Sequence, residues 1–146
     1  MPGTYFSYNR GMRELLVPIS PGELVDKITI LEIKSERMTD AAKLANVRNE
    51  LELLTSTWRA SAFAASDVDA DWKALRSVNE QLWDIEDRIR DKEREASFDA
   101  GFVELARAVY VTNDERAAIK KRINSRLGST LVEEKSYAEY RSQGRT

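Results

Sequence analysis

The chain has 146 residues, 42% of them hydrophobic and 33% charged, with a formal net charge of −2. This predicts one domain with a modest core and a heavily charged surface, and it excludes a whole-molecule attraction to nucleic acid or to an anionic membrane. Cys and His are absent from the sequence, which excludes disulfides, thiolate chemistry, Ser-His and Cys-His catalysis and His-containing zinc sites.

No apolar run approaches the roughly 20 residues that a membrane span requires, and residues 1–20 lack the continuous apolar stretch of a signal peptide. We therefore expect a cytoplasmic protein that binds neither membrane nor nucleic acid. No EF-hand spacing is present. We expect no metal and no cofactor.

The N-terminal part holds all three prolines, and nothing after Pro21 forbids helix, so the sequence predicts an all-α fold. Residues 1–14 are expected to form a flexible extension. Pro18 holds the apolar segment 15–19 extended. This segment is either a lone edge strand or an arm packed on the helices, and the arm is favoured because no second strand is evident.

The first predicted helix spans 21–38. Ser20 is suited to the N-cap, Pro21 to the first helical position, and Glu23 to the third position of a capping box. Its apolar stripe consists of Leu24, Ile28 and Leu31, with Ile30 and Ile33 beside it.

Two further helices are predicted at about 40–60 and 68–96, the first beginning at Thr39 or Asp40. Both carry apolar residues in steps of three and four, which is typical of a coiled-coil-like seam. The seam residues are Leu44, Val47, Leu51, Leu54 and Trp58, then Leu75, Val78, Leu82, Ile85 and Ile89. Because the polar segment 61–71 joins the two helices, we predict an antiparallel helical hairpin.

The last predicted helix spans 98–127, with Ser97 as its N-cap and Gly128 after its end. Polar residues 112–115 interrupt its apolar stripe and indicate either a fresh helix or a polar stretch within one helix. One helix is favoured, because no Gly or Pro forces a break. With the hairpin and the first helix it completes a helical bundle, which we expect to be one domain over 15–137.

The C-terminal tail follows that helix. Its first part, from residue 129, is expected to form a short helix folded back on the bundle, and residues 138–146 a flexible end.

Charge is unevenly distributed along the chain. Residues 67–99 hold eleven acidic against six basic side chains, whereas 105–127 hold two acidic against six basic. The simplest consequence is that the last helix packs beside the 68–96 helix. A basic surface that faces a ligand is the alternative.

Four segments resemble a family of short bacterial proteins of unknown function. They are Val17–Lys34 (VPISPGELVDKITILEIK), Lys43–Val47 (KLANV), Thr112–Asp114 (TND) and Val132–Tyr137 (VEEKSY). The resemblance covers about 17–137. It implies a helical domain and supplies no activity.

The polar interruption of the last helix is the first candidate site. Helical spacing from Phe102, Ala106 and Val109 places four polar residues where apolar ones are expected: Thr112, Asn113, Arg116 and Lys120. One interpretation is an anion site in which the guanidinium clamps a carboxylate or phosphate and the ammonium adds a point charge. The favoured alternative is a structural network with Asp26, Glu32 or Glu86.

The first helix carries the second candidate set, Asp26, Lys27, Lys34 and Arg37. A solvated helix flank is the favoured interpretation of this set. Asp26 and Lys27 are nevertheless included in the candidate anion site, since that site requires a cavity between the first and last helices. The sequence identifies no catalytic residue.

Two functions follow from these patterns. The favoured one is a non-catalytic helical interaction or assembly protein that forms homo-oligomers and is able to bind another protein. The alternative is a small protein or enzyme that binds an anionic metabolite between the first and last helices.

Overall fold

The computed structural model describes residues 13–140. These residues contain four α-helices and no strand: α1 (Pro21–Arg37), α2 (Ala41–Ala60), α3 (Asp69–Arg94) and α4 (Ala100–Leu127). The predicted all-α bundle is confirmed, as is the single uninterrupted helix over the polar stretch 112–115. No helix of the described part is long and apolar enough to cross a membrane.

Polar caps begin three of the helices. Ser20 Oγ accepts from the Glu23 amide at 3.2 Å, and Asp40 Oδ1 accepts from the Lys43 amide at 2.9 Å. The predicted Ser97 cap is wrong: Asp99 caps α4 and accepts from the Phe102 amide at 3.0 Å. Residues 95–98 are needed for the turn out of α3, so α4 begins later than its apolar pattern suggests. Gly128 ends α4 in the left-handed conformation, as predicted.

α1 is the central helix, because α2, α3 and α4 all pack against it. Its buried side chains cover most of its circumference and include Asp26 and Thr29 as well as the apolar Leu24, Val25, Ile28, Leu31 and Ile33. The main core lies around the first half of α1. It is completed by Trp58, Val68, Leu75, Val78, Ile119 and Ile123.

The expected seam between α2 and α3 does not form. Within the described residues these helices do not pack along their lengths, and they meet at their shared corner, where Trp58 packs edge-to-face on Trp72 with ring centroids 5.4 Å apart. Leu51 and Leu54 pack on the core around α1 instead. Three-four stepping identifies the apolar face of a helix but not the surface that covers it: α2 packs against α1, and α3 packs against both α1 and α4.

α3 and α4 form the longest antiparallel pair. Arg122 Nε donates to Asp71 Oδ1 at 2.7 Å, and Arg126 Nη1 lies 3.3 Å from Asp71 Oδ2. At the other end of the pair, Lys92 on α3 bonds Asp99 at the start of α4. The prediction that the basic helix packs beside the acidic one is confirmed.

The segments outside the helices differ from expectation. Leu15, Leu16 and Val17 are 93%, 67% and 67% exposed, so the expected packing of the arm on the helices is wrong. The tail forms no helix: residues 129–140, called here the strap, have no regular secondary structure and contact α4 through Glu133, which bonds Lys120, and Tyr140, which packs on Tyr110. Most of the expected extension (1–12) and tail end (141–146) lies outside the described residues.

Candidate functional site

The site is built around the carboxylate of Asp26, which is 1% exposed. It lies on α1 at the level where that helix meets both α3 and α4. Asn79 of α3 donates its amide to Asp26 Oδ1 at 3.0 Å and to Thr29 Oγ1 at 3.1 Å. Arg116 of α4 donates Nε to Asp26 Oδ1 at 2.9 Å and Nη2 to Asp26 Oδ2. Both oxygens of the buried carboxylate are therefore hydrogen-bonded.

Arg116 uses only part of its guanidinium on this pair. The group carries five N–H donors. Two donate to Asp26, and a third reaches Asn113 Oδ1 at the long distance of 3.5 Å. Each of the two terminal nitrogens has one further N–H group, and neither of these N–H groups has an acceptor among residues 13–140. The side chain is 29% exposed, and the hydrogen bonds that it donates to Asp26 raise the pKa of Arg116 against the opposing effect of burial.

Lys120 lies one turn further along α4, and carboxylates surround its ammonium. Its Nζ is 2.6 Å from Glu23, 3.1 Å from Glu133 of the strap and 3.9 Å from Asp26. Burial acts to lower the pKa of Lys120, but the bonds to Glu23 and Glu133 outweigh it, so the pKa is raised. Two carboxylates within hydrogen-bond distance therefore balance the charge of Lys120.

A close approach of α1 and α4 sets the position of these groups. The Gly22 amide donates to Asn124 Oδ1 at 2.8 Å, and a Cβ on Gly22 would lie 2.5 Å from the Lys120 carbonyl oxygen. Only glycine fits this contact. The helices are thereby close enough for Glu23 and Asp26 to reach α4.

Two clefts open on this centre, and both are lined by Asn113 and Arg116. The first, of about 370 Å³, lies between α1, α3 and α4 and is also lined by Ile30, Asn79, Leu82, Trp83, Glu86, Asp87 and Arg90. The second, of about 240 Å³, is also lined by Glu23, Ala117, Lys120, Glu133 and Lys135. Asp26 lines neither of them.

The structure brings together four of the six candidate residues, namely Asp26, Asn113, Arg116 and Lys120. Thr112 is buried beside them but lines neither cleft. Lys27 is half exposed and reaches the group only through Glu23, 3.7 Å away.

The other expected partners of the basic residues bind elsewhere. Glu32 accepts from Arg76 at 2.7 Å, and Glu86 pairs with Arg90 at 3.5 Å. Of the three acidic residues proposed for a structural network with Arg116, only Asp26 contacts it. Arg37, from the second candidate set, pairs with Asp84 at 2.5 Å.

Sequence reasoning missed three members of the site. The sequence could have indicated Asn79, because it is a polar residue beside Val78 in an otherwise apolar stripe. Glu23 was assigned to a capping box, but its carboxylate bonds Lys120. Glu133 belongs to the VEEKSY segment, and nothing in its sequence position relates it to α4.

No group of three or more acidic side chains within 13–140 is arranged to hold a metal ion. The site is a chain of alternating charges, with Asp26, Glu23 and Glu133 set against Arg116, Lys120 and Lys135. Such an arrangement orients hydrogen-bond donors and has no evident nucleophile.

Comparison with known proteins gives one match. A family model described as a family of unknown function (DUF6165) matches residues 15–144, which confirms the resemblance seen in the sequence. No curated protein and no solved structure matches the chain.

We predict that Arg116→Met lowers the free energy of unfolding by about 3–5 kcal/mol, because it leaves a buried carboxylate without its main partner. Arg122→Met is the matched control, since its partner Asp71 is also buried. It should cost only about 1 kcal/mol, because the Arg122 side chain is half exposed and Arg126 remains beside Asp71. Urea unfolding measures the free energy of unfolding of both variants, and an equal loss of stability in the two would contradict the central role of Asp26.

We also predict that the strap detaches in acid. Bonds from Lys120 and then Lys135 lower the pKa of Glu133 from its ordinary 4.5. The Glu133 carboxylate has a lower pKa when the strap is attached than when it is free. Attachment is therefore fully favoured at pH values above 4.5, and it is lost as the pH falls through the lowered pKa of the attached carboxylate. Hydrogen exchange of residues 130–140 against pH measures this. Carboxyl NMR titration should show that Lys120→Met raises the pKa of Glu133 more than Lys135→Met does; the reverse order would refute the assignment.

Proposed function

The chain belongs to the DUF6165 family of unknown function, and we propose that it binds a small molecule bearing a carboxylate or phosphate in the cleft between α1, α3 and α4. The observation that carries this proposal is the state of Arg116. Asp26 holds one edge of its guanidinium, and two N–H groups on the terminal nitrogens have no acceptor among residues 13–140. Bidentate donation to a planar oxyanion is the ordinary use of such an edge.

The cleft itself supports a small ligand. Its volume of about 370 Å³ lies within the range of roughly 300–1,000 Å³ that is usual for such sites. Ile30, Leu82 and Trp83 supply apolar surface, and Asn113 and Arg116 supply polar groups on the facing helix. A few polar groups set in apolar surface fix the orientation of a ligand and give specificity.

Octanoate and phenyl phosphate are suitable probes. We expect each to shift the Arg116 Nε–H and Trp83 indole NMR signals saturably. Arg116→Lys keeps the charge but removes the paired donors, and should weaken binding about tenfold or more, the value of a lost charge-assisted hydrogen bond.

Arg122→Lys is the control, because Arg122 also bonds a buried Asp on α3 but lies outside the cleft. It should leave binding unchanged. The proposal fails if neither probe moves the Arg116 and Trp83 signals, or if both lysine variants weaken binding equally.

A second proposal, self-assembly, is favoured by the exposed apolar arm. Leu15, Leu16 and Val17 are three consecutive apolar residues that the described bundle leaves exposed, and exposed apolar surface that is grouped in this way is a candidate contact site. The predicted helical seams supply no further argument for assembly, because α2 packs against α1, and α3 packs against α1 and α4. The proposed partner is a second copy of the chain.

Light scattering at micromolar concentration tests self-assembly. We expect a dimer for the native chain and a monomer for Leu16→Asp. Leu53→Asp is the control, because Leu53 is an exposed leucine on α2, and it should leave the dimer intact. A native chain that is strictly monomeric would rule out this proposal.

A further inference from the structure

The α3 wall of the first cleft is a single helical stripe. Its residues are 79, 82, 83, 86, 87 and 90, which recur at the three- and four-residue spacing of one helix face. From Asn79 to Asp87 the stripe extends about 12 Å, at 1.5 Å per residue. A ligand lying along it would contact three consecutive surfaces of different chemistry.

The inner end of the stripe lies beside the hydrogen-bond donors of α4. Asn79 lies there and donates both of its amide N–H groups, to Asp26 and Thr29, while Arg116 and Asn113 face it from α4. This is the end at which the proposed oxyanion binds. Its donors are positioned before a ligand arrives, because the buried carboxylate fixes the guanidinium.

The middle and the outer end differ from the inner one. Leu82 and Trp83, with Ile30 opposite, form a partly exposed apolar middle. At the outer end lie two carboxylates and one guanidinium. Arg90 pairs with Glu86 at 3.5 Å, whereas Asp87 is exposed and makes no ion pair with any residue of 13–140. The outer end therefore carries an uncompensated negative charge.

We infer that the ligand is an elongated zwitterion, with a carboxylate or phosphate at one end, an apolar middle and an ammonium group at the other. This inference rests on the proposed function and specifies the ligand class of the same cleft. The oxyanion bonds Arg116, the apolar part covers Leu82 and Trp83, and the ammonium pairs with Asp87. Complementary charge at both ends fixes the direction in which the ligand lies.

Octanoate and ω-aminooctanoate distinguish this ligand class from a simple anion. They share the carboxylate and the apolar chain, and only the second has an ammonium group. We expect ω-aminooctanoate to bind two- to fivefold tighter in NMR titrations, the range for an ion pair at a partly exposed site. Asp87→Asn should abolish that advantage and leave octanoate binding unchanged.

Asp91→Asn is the matched control, because it removes one negative charge from α3 a turn beyond Asp87 and outside the cleft lining. It should preserve the advantage of ω-aminooctanoate. The inference is overturned, and the proposed function retained, if octanoate binds in an Arg116-dependent manner but the ammonium gives no advantage or one that survives Asp87→Asn. If neither compound shifts the Arg116 signal, both fail.

Discussion

The buried carboxylate of Asp26 is the constraint on which the rest of the structure depends. A carboxylate that is 1% exposed is tolerated only when its oxygens accept hydrogen bonds and its charge is balanced. The donors come from two different helices, Asn79 on α3 and Arg116 on α4. One side chain therefore links α1 to both α3 and α4. The Gly22–Asn124 contact, one turn away, holds α1 and α4 at the required distance.

Stability alone does not account for such a pair. A buried ion pair gains roughly what its desolvation costs, and an apolar replacement of similar volume is often as stable. What the pair supplies is orientation, because a guanidinium held along one edge presents its remaining N–H groups in a fixed direction. Lys120 shows the contrast. It is just as close to carboxylates, but Glu23 and Glu133 also line the cleft on which it opens, so a ligand would meet these carboxylates beside the ammonium.

The sequence predicted the helices more reliably than their contacts. Capping residues and apolar stepping are local, and they located α1, α2 and the single long α4 to within a few residues. The partner of each apolar face is not local. The apolar stripes of α2 and α3 predicted that these two helices pack on each other. Both helices pack on α1 instead, whose buried positions surround most of its axis. The site followed the same pattern. Polar residues on an apolar stripe identified Arg116 and Lys120, but Glu133 reaches Lys120 through the strap, which carries no periodic signal.

The two clefts differ in the groups that line them around Arg116. In the second cleft Glu23 and Glu133 stand in the lining beside Arg116, Lys120 and Lys135, and these two carboxylates pair with Lys120 and Lys135. In the first cleft the carboxylate that balances Arg116 is Asp26, which does not line the cleft. The carboxylates that do line it, Glu86 and Asp87, lie toward the end of the α3 wall away from Asn79. The first cleft also carries the apolar surface of Ile30, Leu82 and Trp83, whereas the apolar lining of the second is Ala117. Apolar surface beside the guanidinium strengthens its electrostatic contacts, because it lowers the local dielectric constant, and this is the reason why the first cleft is the one proposed for an oxyanion.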